Sequence, residues 1–358
     1  MAYGKSLPKD QRKEFGEIPA YGANGIKTYA ISPLYNEPSI IIGRKGSAGE
    51  LQREDRPFWA LDVSFYVKFD SRNVILDYLY YFLTVSDLPS MAKGVKPGIN
   101  RNKVYELTLA LPPLAEQYRI VAKLDAAFAA IDQGIALAEK KEAEVEHLKA
   151  ALLSASLAGD DWKTVKLGEV CETGAGGTPL KSNKSYYEGG RISWLLSGAV
   201  CEKEIFASST FITQEGLDNS SAKLFPPDTV LVAMYGATAG QVSILRVQAA
   251  TNQAVCGIYP CNNCLPEFLY YFFLDYKVVL LKEVSGVAQP NLSQVKIKSV
   301  KVPLPPLAEQ ERIVAKLDAA FAELETARTA IAESKANYQA LKTAILAQEL
   351  QPKESEAA

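Results

Sequence analysis

The sequence contains a single histidine, His147, which restricts the chemistry available to the protein. Nucleophile–histidine triads and histidine-ligated metal sites would all have to use this one residue. The five cysteines, an odd number, argue against a disulfide framework. No apolar run approaches the roughly 20 residues of a membrane span, and the N-terminal segment lacks the apolar core of a signal peptide. These absences predict a cytoplasmic protein.

Nucleotide-binding and methyltransferase motifs are also missing. The segment GRKGSAGE lacks the Lys-Ser/Thr ending of a phosphate-binding loop, and Gly4-Lys5-Ser6 lacks its upstream glycine. The glycine-rich residues 174–179 do not fit the strand–turn–helix pattern of a dinucleotide site, and they are interpreted as a turn. There is no Asn/Asp-Pro-Pro-aromatic signature of adenine methylation. We therefore predict no catalytic residues.

A metal site has weak support. Cys261-Asn-Asn-Cys264 has the spacing of half a zinc site, with Cys256 nearby and either Cys171 or Cys201 as a further ligand. The first half of the chain has Asp70 and Asn73 near the equivalent positions, so the shared fold does not require a metal. The Asn-Asn pair favours an ordinary turn. The sequence therefore predicts no metal ligands.

What the chain does have is an internal repeat. Residues 111–129 read LPPLAEQYRIVAKLDAAFA, and residues 304–322 repeat this with Glu311 in place of Tyr118. Shorter matches precede each copy: LYYFL with LYYFF, and GVKPGIN with GVAQPNL. The second copy has an opening segment that the first lacks. The first domain is therefore expected to be one strand short or completed from elsewhere.

The repeat predicts an α+β protein with a pseudo-twofold internal repeat, in which two β-rich globular domains are joined by two long antiparallel coiled-coil helices. Short β-branched runs separated by Asn-Gly and Gly-rich turns indicate strands in each domain. The predicted segments are 1–110 (an N-terminally short domain), 111–160 (a helix), 161–303 (the second domain), 304–350 (a helix) and 351–358 (a disordered tail). The domains are mildly basic and the helices acidic, although the net charge is −2.

Apolar residues spaced three and four apart predict the seam of the coiled coil. Its principal members are Leu124, Phe128, Ile131, Ile135, Leu317, Phe321, Leu324 and Ile331, with Leu148 and Leu341 further along the two helices. Antiparallel pairing would bring Arg328 or Lys335 close to Glu139 or Glu142. The alternative is that these cations extend into solvent.

Two loops are candidate binding sites because in each of them glycine and other small residues follow an apolar strand. Residues 44–49 (RKGSAG) and 235–240 (YGATAG) would let a partner approach the backbone, while their polar side chains contact phosphates or base edges. An ordinary hairpin with solvated charges is the alternative. Residues 93–101, 285–291, 21–27 and 181–191 pose the same choice.

These features together resemble the specificity subunit of type I restriction–modification enzymes, and the duplicated PPLAEQ helix start carries the resemblance. The resemblance implies two target-recognition domains that each read half of a bipartite site in duplex DNA, with helices that set the spacer. It implies partner methyltransferase subunits carrying S-adenosylmethionine and restriction subunits using ATP and Mg²⁺, and no cofactor on this chain.

The same resemblance directs attention to two sets of residues. The expected DNA contacts are Lys5, Lys27, Arg44, Lys45, Ser47, Lys96, Arg101, Lys181, Lys184, Arg191, Tyr235, Thr238, Gln289 and Asn291. The residues expected to dock two methyltransferase subunits are Glu116, Gln117, Arg119, Glu309, Gln310 and Arg312. Two alternatives remain open: a non-catalytic recognition fragment of a fused restriction–methyltransferase enzyme, and a coiled-coil scaffold without DNA specificity.

Overall fold

The computed structural model describes residues 1–95, 97–159, 161–282 and 292–350, and the chain divides into two compact units. Unit 1 comprises Met1–Lys140 and Ile331–Ala358, and unit 2 comprises Lys141–Ala330. Each unit therefore contains the beginning of one long helix and the end of the other. The predicted tail, residues 351–358, lies outside the described residues. None of the described helices is both long enough and apolar enough to be a membrane span.

Unit 1 contains two four-stranded sheets, with strand orders β1-β8-β5-β6 and β2-β4-β3-β7. Its strands are β1 Ala2–Tyr3, β2 Arg12–Lys13, β3 Ile18–Gly22, β4 Gly25–Ala30, β5 Ser39–Gly43, β6 Leu51–Glu54, β7 Trp59–Ala60 and β8 Ser64–Tyr66. Its helices are α1 Leu76–Val85, α2 Arg101–Tyr105 and the first part of α3 Leu114–Ser156. Strand β5 is buried along its whole length, as expected for a continuous β-branched run.

Unit 2 contains sheets of five, four and two strands, ordered β10-β18-β15-β16-β12, β13-β11-β17-β14 and β19-β9. Its strands are β9 Lys163–Lys166, β10 Thr173–Ala175, β11 Ile192–Leu195, β12 Glu204–Ile205, β13 Phe211–Ile212, β14 Leu224–Phe225, β15 Thr229–Ala233, β16 Val242–Leu245, β17 Ala249–Thr251, β18 Val255–Ile258 and β19 Lys301–Leu304. Its helices are α4 Leu167–Val170, α5 Gln214–Asp218, α6 Pro266–Lys282, α7 Gln294–Ser299 and most of α8 Leu307–Leu350.

The sheet order confirms the internal repeat. Strands β1-β8-β5-β6 of unit 1 have the same arrangement as β10-β18-β15-β16 of unit 2, and unit 2 adds β12 at one edge. In unit 2, strand β19 leads into α8 and pairs with β9. In unit 1, residues 107–113 lead into α3 without forming a strand. The β9–β19 pair therefore has no counterpart among the described residues of unit 1.

A buried glutamine connects each domain to its long helix. Gln117 accepts a hydrogen bond from the backbone N–H of Ile75 at 3.0 Å and donates to the carbonyls of Asn73 and Pro112, each at 2.8 Å. Gln310 makes the same three bonds in unit 2, with the N–H of Leu265 and the carbonyls of Asn263 and Pro305, each at 2.9 Å.

Both glutamine side chains are fully buried, and the oxygen and nitrogen of each amide form hydrogen bonds inside the protein. The expectation that Gln117 and Gln310 dock a partner directly is therefore wrong. Their neighbours form exposed ion pairs instead, Arg119 with Glu116 and Arg312 with Glu309. Those four residues remain candidates for docking.

A tyrosine strengthens each junction. Tyr81 of α1 packs edge-on against Phe128, with ring centroids 5.4 Å apart, and donates a hydrogen bond to Asp125. Tyr271 of α6 repeats both contacts with Phe321 and Asp318. Burial, together with the hydrogen bond to Asp318, raises the pKa of Tyr271. These rings therefore serve packing between each domain and its long helix.

Each unit contains an antiparallel pair of helical segments. In unit 1, the Lys342 ammonium lies 4.7 Å from the centre of the Phe128 ring, and in unit 2 Lys149 lies 5.0 Å from that of Phe321. The two contacts are equivalent, because 321 − 128 and 342 − 149 both equal 193. Among the predicted seam residues, Leu124, Phe128, Ile131 and Leu317 are buried, and Ile135, Phe321, Leu324 and Ile331 are half-buried.

The seam departs from prediction at the same place in both helices. Leu148 and Leu341 are about half exposed. The next residues, Lys149 and Lys342, turn towards the seam because their ammonium groups cover a phenylalanine ring. Buried Leu153 and Leu346 then continue the apolar stripe. The expectation that Leu148 and Leu341 belong to the seam is therefore wrong. Apolar periodicity selects these leucines, whereas the neighbouring lysines occupy the seam.

The predicted ion pair is present in unit 1. Lys335 lies 3.9 Å from Glu139 on the facing helix, whereas Arg328 pairs with Glu325 of its own helix in unit 2. Gly134 is also explained, because a Cβ atom there would lie 2.5 Å from Cζ of Tyr338. Glycine costs about 1 kcal/mol within a helix, and here it makes room for an aromatic ring.

Glu54 is a buried carboxylate at the end of β6. It accepts hydrogen bonds from the Tyr21 hydroxyl at 2.6 Å, from the Arg56 guanidinium at 3.0 and 3.1 Å, and from the backbone N–H groups of Asp55 and Arg56. Burial alone would raise the pKa of this carboxyl group. The hydrogen bonds from Arg56 and Tyr21 outweigh burial and lower the pKa to about 2.

We predict that Glu54 gives the protein an acid-sensitive contribution to stability. Because its folded pKa lies below the ordinary 4.5, this contribution is present above that value and is lost as the pH falls towards 2. Between about pH 5 and about pH 3, the wild type should lose about 2 kcal/mol more unfolding free energy than Glu54→Gln in urea titrations. The control is Glu50→Gln, at an exposed site near the same strand. Parallel losses in the wild type and Glu54→Gln would contradict the assignment.

Candidate nucleic-acid interface

A glycine-containing loop follows the central buried strand of each unit. After β5, Gly49 donates its backbone N–H to Gly43 at 2.8 Å, and after β15, Gly240 does the same to Ala233 at 2.8 Å. Gly46 and Gly236 occupy the left-handed region at φ of 81° and 71°. A side chain at either position would be strained, so glycine is the residue that lets these loops turn tightly.

In both units a backbone hydrogen bond joins a distant residue to the residue that directly follows the central strand. The backbone N–H of Ile99 donates to the carbonyl of Arg44 at 3.0 Å, and that of Leu292 donates to Met234 at 2.9 Å. In unit 1, Lys45 also pairs with Gly98 in a β-bridge. The structure therefore brings together the loops 44–49 and 93–101, which the sequence identified separately. Lys96, Gln289 and Asn291, three of the expected DNA contacts, lie outside the described residues.

The 21–27 hairpin lies beside the same loop. A Cβ atom at Gly43 would sit 2.6 Å from the carbonyl oxygen of Ala23 and 2.1 Å from that of Ser47, so the two backbones approach closely. Lys27 is exposed on β4, and its aliphatic stem covers Gly22. Three loops of unit 1 are thus joined through Gly43 and Arg44.

Cations and aromatic rings cluster at this place. Two guanidinium groups approach the ring of Tyr3, which is 47% exposed: that of Arg44 is 5.0 Å and that of Arg101 is 4.9 Å from the ring centre. Arg101 also approaches the Tyr105 ring at 5.7 Å. Within the described part of the chain, Nε of Arg101 is a buried donor without an acceptor. Lys45 is exposed on the loop itself.

Tyr3 and Tyr105 are the members of this cluster that the sequence did not reveal. They come from opposite ends of the first domain, and only folding brings them to the arginines. The remaining candidates in unit 1 lie nearby in the chain but differ in setting. Lys5 is exposed, and its carbonyl accepts a hydrogen bond from the Trp59 indole at 2.8 Å. Ser47 is half-buried.

The loop of unit 2 carries no cation. Tyr235 is exposed and Thr238 is half-buried, and the Thr238 hydroxyl donates to the carbonyl of Tyr235 at 3.3 Å. The positive charges stand on residues 181–191, where Lys181, Lys184 and Arg191 are exposed. Hydrogen bonds connect the loop to that segment. The backbone N–H of Met234 donates to Ala254, the Thr178 hydroxyl donates to Gln253, and the Tyr187 hydroxyl donates to the carbonyl of Pro179.

The single difference between the two helix starts is also exposed. Tyr118 is 61% exposed in unit 1, where it lines a cleft of about 400 Å³ together with Phe69 and Ile75. Glu311 occupies the equivalent surface position in unit 2. The two candidate docking surfaces therefore share their ion pairs but differ in apolar character.

The Cys261–Cys264 segment forms a tight turn, as expected, with the two cysteines paired in a β-bridge. The structure adds Cys171, one of the two further ligands considered, to these cysteines. Cys201 and Cys256 are not part of the group.

Comparison with known proteins supplies the family. The family model for the type I restriction modification DNA specificity domain matches residues 2–147 and 159–333. The specificity subunit of the Escherichia coli type I restriction enzymes EcoR124I/EcoR124II is 28% identical over 262 residues, which are 70% of this chain and 64% of that protein. The putative Haemophilus influenzae specificity subunit S.HindORF215P is 25% identical over 345 residues, which are 91% of this chain and 84% of that protein.

Two solved structures share the fold. A chain from a study of complex assembly and conformational transition in a type I R-M system has a TM-score of 0.76 at 19% identity, covering 97% of this chain and 96% of that one. The HsdS subunit from Thermoanaerobacter tengcongensis has a TM-score of 0.61 at 20% identity, covering 97% and 95%. Because the family model matches both halves of the repeat, this chain belongs to the type I restriction–modification specificity subunit family.

Proposed function

We propose that this chain is the sequence-specific DNA-recognition subunit of a type I restriction–modification complex, and that each globular domain reads one half of a bipartite site. The main support is the shared loop geometry: in both units a glycine-containing loop follows the central strand, and the residue directly after that strand accepts a hydrogen bond from a distant backbone N–H group. Small residues allow close approach to DNA, and the polar side chains around them suit phosphates and base edges.

Arg44 and Arg101 are suited to base reading, because a guanidinium can donate two hydrogen bonds to a guanine edge. The rings of Tyr3 and Tyr105 hold them in place on one side. Lys45 is suited to a phosphate contact, since its ammonium group is a point charge on a flexible stem. In unit 2, Tyr235 and Thr238 would meet base edges while Lys181, Lys184 and Arg191 meet phosphates.

The chain carries out no chemistry of its own in this proposal. Two methyltransferase subunits, which bind S-adenosylmethionine, dock on the two helix starts through the Glu116–Arg119 and Glu309–Arg312 surfaces. Restriction subunits using ATP and Mg²⁺ complete the complex, which acts on DNA in the cytoplasm. A net charge of only −2 is compatible with DNA binding in such a complex, because the partner subunits would supply many of the phosphate contacts.

A DNA-binding assay tests the proposal against a coiled-coil scaffold. The assay is a gel shift of a duplex that contains the host's methylated motif, run with and without the methyltransferase. Sequence-specific binding should appear only in samples that contain this chain. Lys45→Ala should weaken the complex by about 1 kcal/mol and reduce the slope of log affinity against log salt by about 0.9, because one phosphate contact is lost.

The matched control is Arg72→Ala, which removes an exposed cation that pairs with Asp70 in the same unit. It should leave the affinity and the salt slope close to the wild-type values. If the full complex bound unrelated duplexes as tightly as the methylated motif, the scaffold function would be favoured over recognition. A fused enzyme would be indicated if the host's methyltransferase formed one polypeptide with this chain.

We further propose that α3 and α8 set the spacer between the half-sites. The residues that divide the units, Lys140/Lys141 in α3 and Ala330/Ile331 in α8, lie within uninterrupted helix. A seven-residue insertion at both places preserves the seam in each unit, since seven residues are one coiled-coil repeat. It adds about 10 Å of helix.

This double insertion should lengthen the unspecified spacer by about 3 base pairs, at about 3.4 Å each, without changing either half-site. Methylation sequencing of the host genome provides the measurement. Insertion into α3 alone is the control, and it should abolish methylation because the helices lose register. An unchanged spacer in the active double-insertion variant would contradict the proposal.

A further inference from the structure

Three cysteines of unit 2 converge from two distant segments of the chain. Cys171 follows the short helix α4, and Cys261 and Cys264 flank the turn before α6. Their sulfur atoms all lie within 4.8 Å of one another, and those of Cys171 and Cys261 are 2.7 Å apart. Cys171 and Cys264 are buried, while Cys261 is half-buried and leaves one side of the group towards solvent.

The turn itself is shaped like one arm of a metal site. Residues 262–263 form the turn between Cys261 and Cys264, and the two cysteines pair in a β-bridge. Their sulfur atoms lie within 4.8 Å of each other, so both side chains point to the same side of the turn.

The donor set selects the kind of ion. Three thiolates are soft ligands that favour zinc over magnesium or calcium. Tetrahedral zinc has Zn–S bonds of about 2.3 Å, which separates the sulfur atoms by about 3.8 Å. The Cys171–Cys261 separation of 2.7 Å is shorter than this distance, and no separation within the group exceeds 4.8 Å, so shifts of about 1 Å at the side chains would complete the geometry.

We propose that Cys171, Cys261 and Cys264 bind one Zn²⁺ ion, whose fourth position is open to a solvent-derived or other external ligand at the half-buried side. This goes beyond DNA recognition and does not depend on it. Nothing in unit 1 repeats the site: because 263 − 73 equals 190, Cys261 and Cys264 correspond to Ser71 and Val74. There the carboxylate of Asp70 holds the turn through Arg72 and Asn73.

The position of the site indicates a structural role. Asn263 and Leu265, on either side of Cys264, are two of the three residues that Gln310 binds. Cys171 follows α4, whose Leu167 N–H donates to Val300 at 2.9 Å, next to the strand that leads into α8. A zinc ion here would tie the opening segment of the second domain to the turn that receives the long helix.

The test is metal analysis of the full chain, purified without chelators and without a metal-affinity tag. Elemental mass spectrometry should find about one zinc per wild-type chain. Cys261→Ser and Cys264→Ser should each reduce the content at least tenfold. The controls Cys201→Ser and Cys256→Ser, outside the group, should retain the wild-type content.

Cobalt substitution of the wild type keeps the test independent of whether the variants fold. Co²⁺ should give a sulfur-to-metal charge-transfer band together with the strong visible bands of tetrahedral coordination. The proposal is overturned if the wild type neither contains zinc nor shows these bands with added Co²⁺. It is also overturned if alkylation and peptide mass spectrometry find a Cys171–Cys261 disulfide in place of three metal-protected thiols, or if Cys201→Ser loses the metal as the cluster variants do.

Discussion

A buried glutamine amide at the start of each long helix is the contact on which the placement of each β-rich domain depends. Gln117 and Gln310 each bind one N–H and one carbonyl of the segment before α1 or α6, and a further carbonyl before their own helix. An amide that loses one of these partners leaves a buried polar group unsatisfied, at a cost of about 1–3 kcal/mol. Each domain therefore has a defined orientation on its helix.

The positions of the glycine-containing loops depend on this arrangement. Strands β5 and β15 are fully buried, and their ends present the glycine-containing loops on a rigid sheet. The tyrosine–aspartate and tyrosine–phenylalanine contacts beside each glutamine repeat between the units with the same geometry. Duplication has thus preserved the junction, while the side chains of the loops have diverged from Arg-Lys to Met-Tyr. Two equivalent junctions with different loops fit the proposal that the two domains read different half-sites.

Much of this organisation can be predicted from the sequence, because it rests on periodicity and self-similarity. The repeat, the α+β class, the antiparallel helices and the Lys335–Glu139 contact all follow from patterns that local physics enforces. The burial of Gln117 and Gln310 cannot be predicted from such patterns, since a glutamine in the first turn of an amphipathic helix is usually exposed. The seam positions of Lys149 and Lys342 cannot be predicted for a related reason. Apolar periodicity predicts leucine there, whereas a cation over an aromatic ring is also favourable.

The candidate sites divide in the same way. Glycine patterns identify the loops, but the convergence of Tyr3 and Tyr105 on Arg44 and Arg101 arises from contacts between distant parts of the chain. Cys171 lies 90 residues before Cys261, so their proximity could be considered from the sequence but not established. The repeat argues against a metal in the fold as a whole, yet the second domain has a segment that the first lacks, and Cys171 lies on it.

The central proposal is that the two domains read two half-sites at one fixed separation. Methylation sequencing of a host that carries this chain with its methyltransferase tests the claim most directly. We predict a single motif in which two defined half-sites are separated by one constant number of unspecified base pairs. A continuous motif, or the same half-sites methylated at several different spacings, would contradict it.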